Sequence, residues 1–156
     1  MTNVDKEGTI RLVRNSDAYW RVTFDIPPLN IFGPANIPQL EEIVGLLESD
    51  ARVKVVVFDS AVDGFFITHY DLLAKSEESS KFPPGRTGLQ PLPDMFARLS
   101  RASVVSISSI RGRATGVGSE SHATCDSPAA IRRFSPSGRS VPGWCRAVDR
   151  LRDYRA

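Results

Sequence analysis

Cysteine is scarce in this chain: Cys125 and Cys145 are the whole complement. That is too few for a disulfide framework and fits a reducing compartment. No apolar run reaches the roughly eighteen residues of a transmembrane helix, which excludes a membrane-spanning segment of that kind. The first residues, Met1 to Gly8, are polar and acidic and lack the apolar core of a secretory signal, so a cytoplasmic location is expected. Histidine is nearly absent, with His69 and His122 alone, and no Cys/His cluster has metal-ligand spacing, so no metal site is expected. Large net charge is missing too. A formal +2 gives no reason to expect a nucleic-acid partner.

An ordinary apolar share, 41%, and 156 residues fit one soluble domain. The average charge hides a split. Up to Asp126 the formal charge is slightly negative and all four lysines occur. From Ser127 onward there are seven arginines, no lysine and two acids, Asp149 and Asp153, in a background of Ser, Pro, Ala and Gly. A change this abrupt marks a tail or a different origin.

Residues Gly8 to Arg14 and Tyr19 to Phe24 alternate apolar and polar, the pattern of half-buried strands. Asn15 to Asp17 supply turn chemistry between them, so the two form a hairpin. Pro27 and Pro28 end the second strand, because proline cannot donate to a ladder. Ile37, Leu40, Ile43, Val44 and Leu47 recur at helical spacing, with Glu41 and Glu42 facing out. Val53 to Phe58 is a nearly unbroken β-branched run, which predicts a strand buried on both faces. Asp71 is placed to begin a helix. Lys75 to Gln90 reads as a mobile surface loop, Asp94 to Leu99 as a helix, and Val104 to Ile110 as a second core strand. A glycine-rich turn covers Gly112 to Gly118, and a helix starts near Gly118. A hairpin followed by strand–helix units is an α/β pattern with crossover connections. After Asp126 no period is legible, apart from a short basic helix over Ala147 to Tyr154.

Chemistry points to two loops, each following a predicted core strand. The first is Phe65-Phe-Ile-Thr-His-Tyr-Asp-Leu72, and the second is Arg111-Gly-Arg-Ala-Thr-Gly-Val-Gly-Ser-Glu120. Loops at strand ends are where α/β folds place their sites. Two backbone N–H groups converging on one oxygen form an oxyanion hole. Glu120, just beyond the glycines, offers a carboxylate for acid or base work.

The ordered pair of loops, Phe-Phe-x-x-x-x-Asp-Leu and then Gly-x-Ala-x-Gly-x-Gly-x-Glu, resembles the crotonase superfamily, that is, the enoyl-CoA hydratase/isomerase family. The resemblance covers roughly Gly8 to Asp126, and Pro28-Leu-Asn30, Cys125 and Asp126 also sit where that family often has similar residues. It implies an α/β fold with a crotonase-like (ClpP/crotonase) core of repeated β-β-α units, incomplete here. It implies a coenzyme A thioester as substrate, with no further cofactor, and a homotrimer or hexamer. The oxyanion donors become the N–H groups of Tyr70 and Val117, and Glu120 becomes the first of two catalytic glutamates. Thr68, Asp71 and Gly116 become substrate-binding positions. Tyr70 stands where a small residue is usual and Val117 where glycine is, so bulk at both would narrow the acyl pocket.

The segment that should carry the second glutamate, similar to Gln-x-Glu-Val-Gly-x-Gly-x-x-Pro-Gly-Gly, is missing. Each codon's third base can instead be joined to the first two bases of the next. With G or C at third positions, and AGN-type codons at Ser137 and Arg139, the reading from Ser127 becomes L-A-G-G-D-P-P-V-L-A-Q-R-E-V-G-A-G-V-V-P-G-G-G-P. That contains the missing motif in its expected place. A frameshift near Asp126 is therefore expected, dividing the chain into a truncated crotonase-like domain over 1–126 and an unrelated tail over 127–156. Without its second half, the domain should leave the strands Val53–Phe58 and Val104–Ile110 partly uncovered and dissolve poorly.

Plainer readings exist for each residue. A carboxylate at a helix start, as at Glu120, is also what the helix dipole favours. A lone loop histidine such as His69 is more often structural than basic, and His122 is read as incidental to Glu120. The glycines lack the Lys-Ser/Thr ending of a phosphate loop. Aromatic interleaving in the tail is limited to Phe134, Trp144 and Tyr154, which weakens a nucleic-acid reading. Three functions follow: an acyl-CoA hydratase or isomerase, an inactive fragment of one, or a binding module that uses the basic tail.

Overall fold

The structure is a computed structural model that describes residues 8–124 and 127–129. Cys125, Asp126 and residues 130–156, including the helix expected over Ala147 to Tyr154, lie outside the described residues.

Strands β1 (Thr9–Arg14) and β2 (Tyr19–Asp25) form the expected antiparallel hairpin, with Leu12 opposite Val22. Its turn is closed by Asn15 and Ser16, whose N–H groups both donate to the Tyr19 carbonyl. From β2 the sheet grows in parallel through β3 (Val55–Ser60), β4 (Val105–Ser109) and β5 (Ser127–Ala129), in the order β1-β2-β3-β4-β5. The last of these strands continues the sheet three residues past Asp126.

Helix α1 (Asn36–Ser49) buries Ile37, Leu40, Ile43, Val44 and Leu47, the five positions its spacing selects. Each contributes about 1.5–3 kcal/mol by leaving water. The side chains meet Trp20, Val22, Phe24, Val56 and Phe58 from the sheet. Phe24 stacks on Phe58 at 6.3 Å and meets the Phe66 edge at 6.0 Å. Helix α3 (Pro91–Leu99) adds Met95, Phe96 and Leu99, and helix α4 (Val117–Thr124) adds Val117.

All three helices pack on this one face, so the expectation that β3 is buried on both faces does not hold among the described residues. Val55 and Val57 are only half-buried, and Val105 beside them is 47% exposed. Two other expectations change. Asp71 begins no helix: its Oδ1 accepts the Leu73 N–H, and the next helical turn, α2 (Ser76–Ser79), comes later. The second half of the Lys75–Gln90 loop is tied down, since Thr87 donates its N–H and hydroxyl to Asp94 Oδ1, both at 2.7 Å.

That tie belongs to a charged cluster under the helices. Arg98 is 6% exposed and spans three carboxylates. It reaches Glu48 through Nε and Nη2 at 3.0 and 2.7 Å, and Glu41 and Asp94 through Nη1 at 2.5 and 3.1 Å. The Glu48 hydrogen bonds outweigh burial and push the guanidinium further above its ordinary value. Burial alone would raise Asp94, but the Thr87 N–H and hydroxyl and Arg98 hold it below its ordinary 3.8. Arg98 likewise holds Glu48 below 4.5.

A carboxylate whose folded pKa is depressed stabilises the fold above its unfolded pKa, and that contribution is lost as pH falls through the folded value. The melting temperature should therefore stay level down to about pH 5 and fall steeply below about pH 4. In Arg98→Met the fall over the same window should be shallower, and a melting series across pH 3 to 7 measures both.

Candidate oxyanion site

Two backbone segments follow the C-terminal ends of β3 and β4 and lie side by side. The first runs from Gly64 to Asp71, and the second from Arg113 to Val117. Arg113 donates its N–H to the Gly64 carbonyl at 2.8 Å, and Phe66 donates to the Arg113 carbonyl at 2.8 Å. Further along, Thr115 donates its N–H to the Ile67 carbonyl at 3.2 Å and its hydroxyl to the Thr68 carbonyl at 2.7 Å.

Glycine makes this contact possible. A Cβ on Gly118 would overlap the Ile67 carbonyl, which is backbone and cannot move aside cheaply. Gly116 holds φ at +52°, where other residues are strained, and a Cβ there would meet His69 Cα at 3.4 Å. Gly118→Ala should therefore separate the loops and destabilise the fold by about 1–3 kcal/mol, the usual cost of forced overpacking. Gly45→Ala, in α1 with open space around it, is the control and should be neutral or stabilising. Chemical denaturation of the two variants makes the comparison.

On its far side the first loop pairs with residues 30–32. Thr68 N–H donates to the Asn30 carbonyl, Phe32 N–H to the His69 carbonyl, and Asp71 N–H to the Phe32 carbonyl. In such a parallel bridge the intervening residue turns its own amide the other way. Tyr70 is that residue, so its N–H is directed away from Phe32. The Tyr70 ring is half-buried and meets the Phe32 ring at 6.5 Å.

Val117 opens α4, where first-turn amides have no intrahelical acceptor. Its side chain is 7% exposed, belongs to the core cluster and lines a small internal cavity with Phe32, Leu40, Val44 and Phe96.

Of the other expected site residues, Thr68 is buried, and its hydroxyl donates to the Leu29 carbonyl at 3.1 Å. Asp71 is half-buried and supports the turn at Leu73. His69 is exposed, with Nδ1 at 2.8 Å from the Tyr70 carbonyl. The backbone of Glu120 lies in α4, one turn beyond the glycines, and its side chain and that of His122 lie outside the described atoms. Among the described residues no group of three His, Cys, Asp or Glu could hold a metal ion, and no helix is long and apolar enough to cross a membrane.

One residue that sequence reasoning names only within Pro28-Leu-Asn30, with no role, is central to this geometry. Asn30 is fully buried at φ +54° and joins the ends of β2 and β3 to the first loop. Its place two residues after a proline pair, where Asn is tolerated in the left-handed region, was the available signal.

A parallel sheet entered through a hairpin, with two backbone loops apposed at its strand ends, defines the class of α/β architecture. It is the crotonase fold, present here in part. Solved structures of the enoyl-CoA hydratase/isomerase family share it. A Streptomyces avermitilis structure described as a candidate enoyl-CoA hydratase matches with a TM-score of 0.68 at 25% identity, over 77% of this chain and 44% of that one. The Geobacillus kaustophilus enoyl-CoA hydratase matches with a TM-score of 0.65 at 18% identity, over 78% and 45%. That of Bacillus anthracis matches at 0.63 and 19%, over 75% and 45%. The chain thus spans less than half the length of these structures. No family model and no curated protein matches it.

Proposed function

We propose that this chain carries the enolate-stabilising loops of an acyl-CoA hydratase or isomerase and lacks the segment that completes the reaction. The observation that supports this reading is the backbone-to-backbone seating of the two loops, whose bonds run to Thr68 and Thr115, each two residues before Tyr70 and Val117. Their N–H groups would receive the thioester oxygen as negative charge builds on it. Preorganised donors of this kind are worth about 2.7–4 kcal/mol each in acyl chemistry. Thr68, Asp71 and Gly116 would hold the loop shape and the approach to that oxygen, and Glu120 would supply one carboxylate. The second carboxylate belongs to the shifted frame, and residues 127–156 are read here as the out-of-frame product of its codons. The complete enzyme would be a cytoplasmic homotrimer or hexamer using no cofactor beyond its coenzyme A substrate.

The test compares binding of crotonyl-CoA with that of its thioether analogue, which keeps the chain and the nucleotide but has no carbonyl. An oxyanion site predicts at least about tenfold tighter binding of the thioester, the worth of one good hydrogen bond to a polarised oxygen. Equal affinities overturn the reading. A binding module built on the basic tail would instead show salt-dependent affinity for nucleic acid.

A further inference from the structure

We infer that Asn30 is the positioning residue of the first oxyanion loop, an inference that rests on the acyl-CoA reading above. Asn30 reaches the loop through both its side chain and its main chain. Nδ2 donates to the Phe66 carbonyl and, at 2.8 Å, to Ser60 Oγ. A weaker approach to the Phe24 carbonyl measures 3.4 Å. Oδ1 accepts the Ile26 N–H at 2.9 Å. Meanwhile the Asn30 carbonyl accepts the Thr68 N–H at 3.2 Å, and the Asn30 N–H donates to the Ile26 carbonyl at 2.8 Å.

The result is a small truss. Ile26 fixes the turn after β2, and Ser60 fixes the end of β3, where its hydroxyl also accepts the Val62 N–H at 3.0 Å. Phe66 and Thr68 are the two points where the loop is held from this side. From the other side the same stretch is held by Arg113 and Thr115 of the second loop. Tyr70 follows two residues after Thr68, so the height and tilt of its amide depend on where Phe66 and Thr68 are pinned.

The chemistry selects asparagine. The site needs one acceptor for Ile26 and donors for two oxygens, on a residue that tolerates the left-handed region. Aspartate would meet the Phe66 carbonyl with negative charge. Glycine would keep the dihedral and lose every side-chain bond.

The experiment uses the full chain and the ratio of crotonyl-CoA to thioether affinity. A merely structural role lowers the melting temperature and leaves this ratio intact, because both ligands need the same fold. The inference predicts that Asn30→Gly lowers the ratio to below about one third of its parent value, with thioether affinity within about twofold. A parent-like ratio in a folded Asn30→Gly overturns it. If Asn30→Gly does not fold, Ser60→Ala carries the test beside Val62→Pro, which removes the Val62 N–H that Ser60 also accepts: Ser60→Ala removes one acceptor of Nδ2 and leaves the Ile26–Asn30 turn alone. A reduced ratio in Ser60→Ala supports the inference and an unchanged one overturns it. Absence of thioester preference in the parent chain refutes the underlying reading, whereas preference in the parent and the variants alike refutes the role of Asn30 alone.

Discussion

A gene given one extra base inside the Asp126 codon is expected to direct synthesis of a protein that hydrates crotonyl-CoA at least about a hundredfold faster than this chain. The insertion would move translation into the frame whose reading, with G or C at third positions, contains Gln-Arg-Glu-Val-Gly-Ala-Gly-Val-Val-Pro-Gly-Gly. It leaves every residue of both oxyanion loops, and Glu120, unchanged. The gain is set by the second carboxylate: one positioned acid–base group is typically worth 10²–10⁴-fold. Covering the second sheet face is a separate gain. Val55, Val57 and the 47%-exposed Val105 stand on that face with no helix of the described residues over them. The restored protein should therefore also be more soluble, and loss of enoyl absorbance measures its rate. A cooperatively folded, frame-restored protein with no hydration or isomerisation would contradict the frameshift account. Replacing the glutamate of the new Glu-Val-Gly by glutamine should return the rate to within about tenfold of the starting chain while keeping the gain in solubility.

Arg98→Ala should cost about 3–5 kcal/mol of stability, the usual result of removing one partner from a buried ionic cluster. The large value comes from what is left behind. Asp94 is 1% exposed at its side chain and would keep only its Thr87 hydrogen bonds. Glu41 and Glu48, at 44% and 27%, can turn toward water and add less. Removing Arg98 and Asp94 together, as Arg98→Met with Asp94→Leu, should cost less than Arg98→Ala alone, because no buried carboxylate remains unpaired. Denaturant midpoints of the two proteins decide this, and a double variant weaker than the single one would show that the cluster itself is the source of stability.

The sequence was most legible where one face of an element is buried. Alternation located the hairpin, and five apolar positions located the buried stripe of α1, because those patterns record burial directly. Reading β3 as buried on both faces went astray for a related reason. A run of valines records the environment of the complete domain, while the described residues cover one face. Asp71 carries a good helix-start residue, yet its N–H is taken by Phe32 and its carboxylate by Leu73, so tertiary pairing overrode local preference. Nothing in the sequence around Arg98 marks it as a buried charge. Two of its three partners, Glu41 and Glu48, lie 57 and 50 residues away on α1, a distance no local pattern reports. The two loops were legible as a motif pair. What seats them, the Asn30 side-chain bond to Phe66 and the close approach of Gly118 to Ile67, is a matter of three-dimensional contact that the motif residues do not report.

The most direct measurement is the infrared spectrum of crotonyl-CoA labelled with carbon-13 at its carbonyl, taken free and bound to the intact chain. If the Tyr70 and Val117 amides receive that oxygen, the labelled carbonyl band moves to lower frequency on binding, and the displacement shrinks in Gly118→Ala. A bound thioester whose carbonyl band stays at its free-solution position would contradict the assignment of these loops as an oxyanion site.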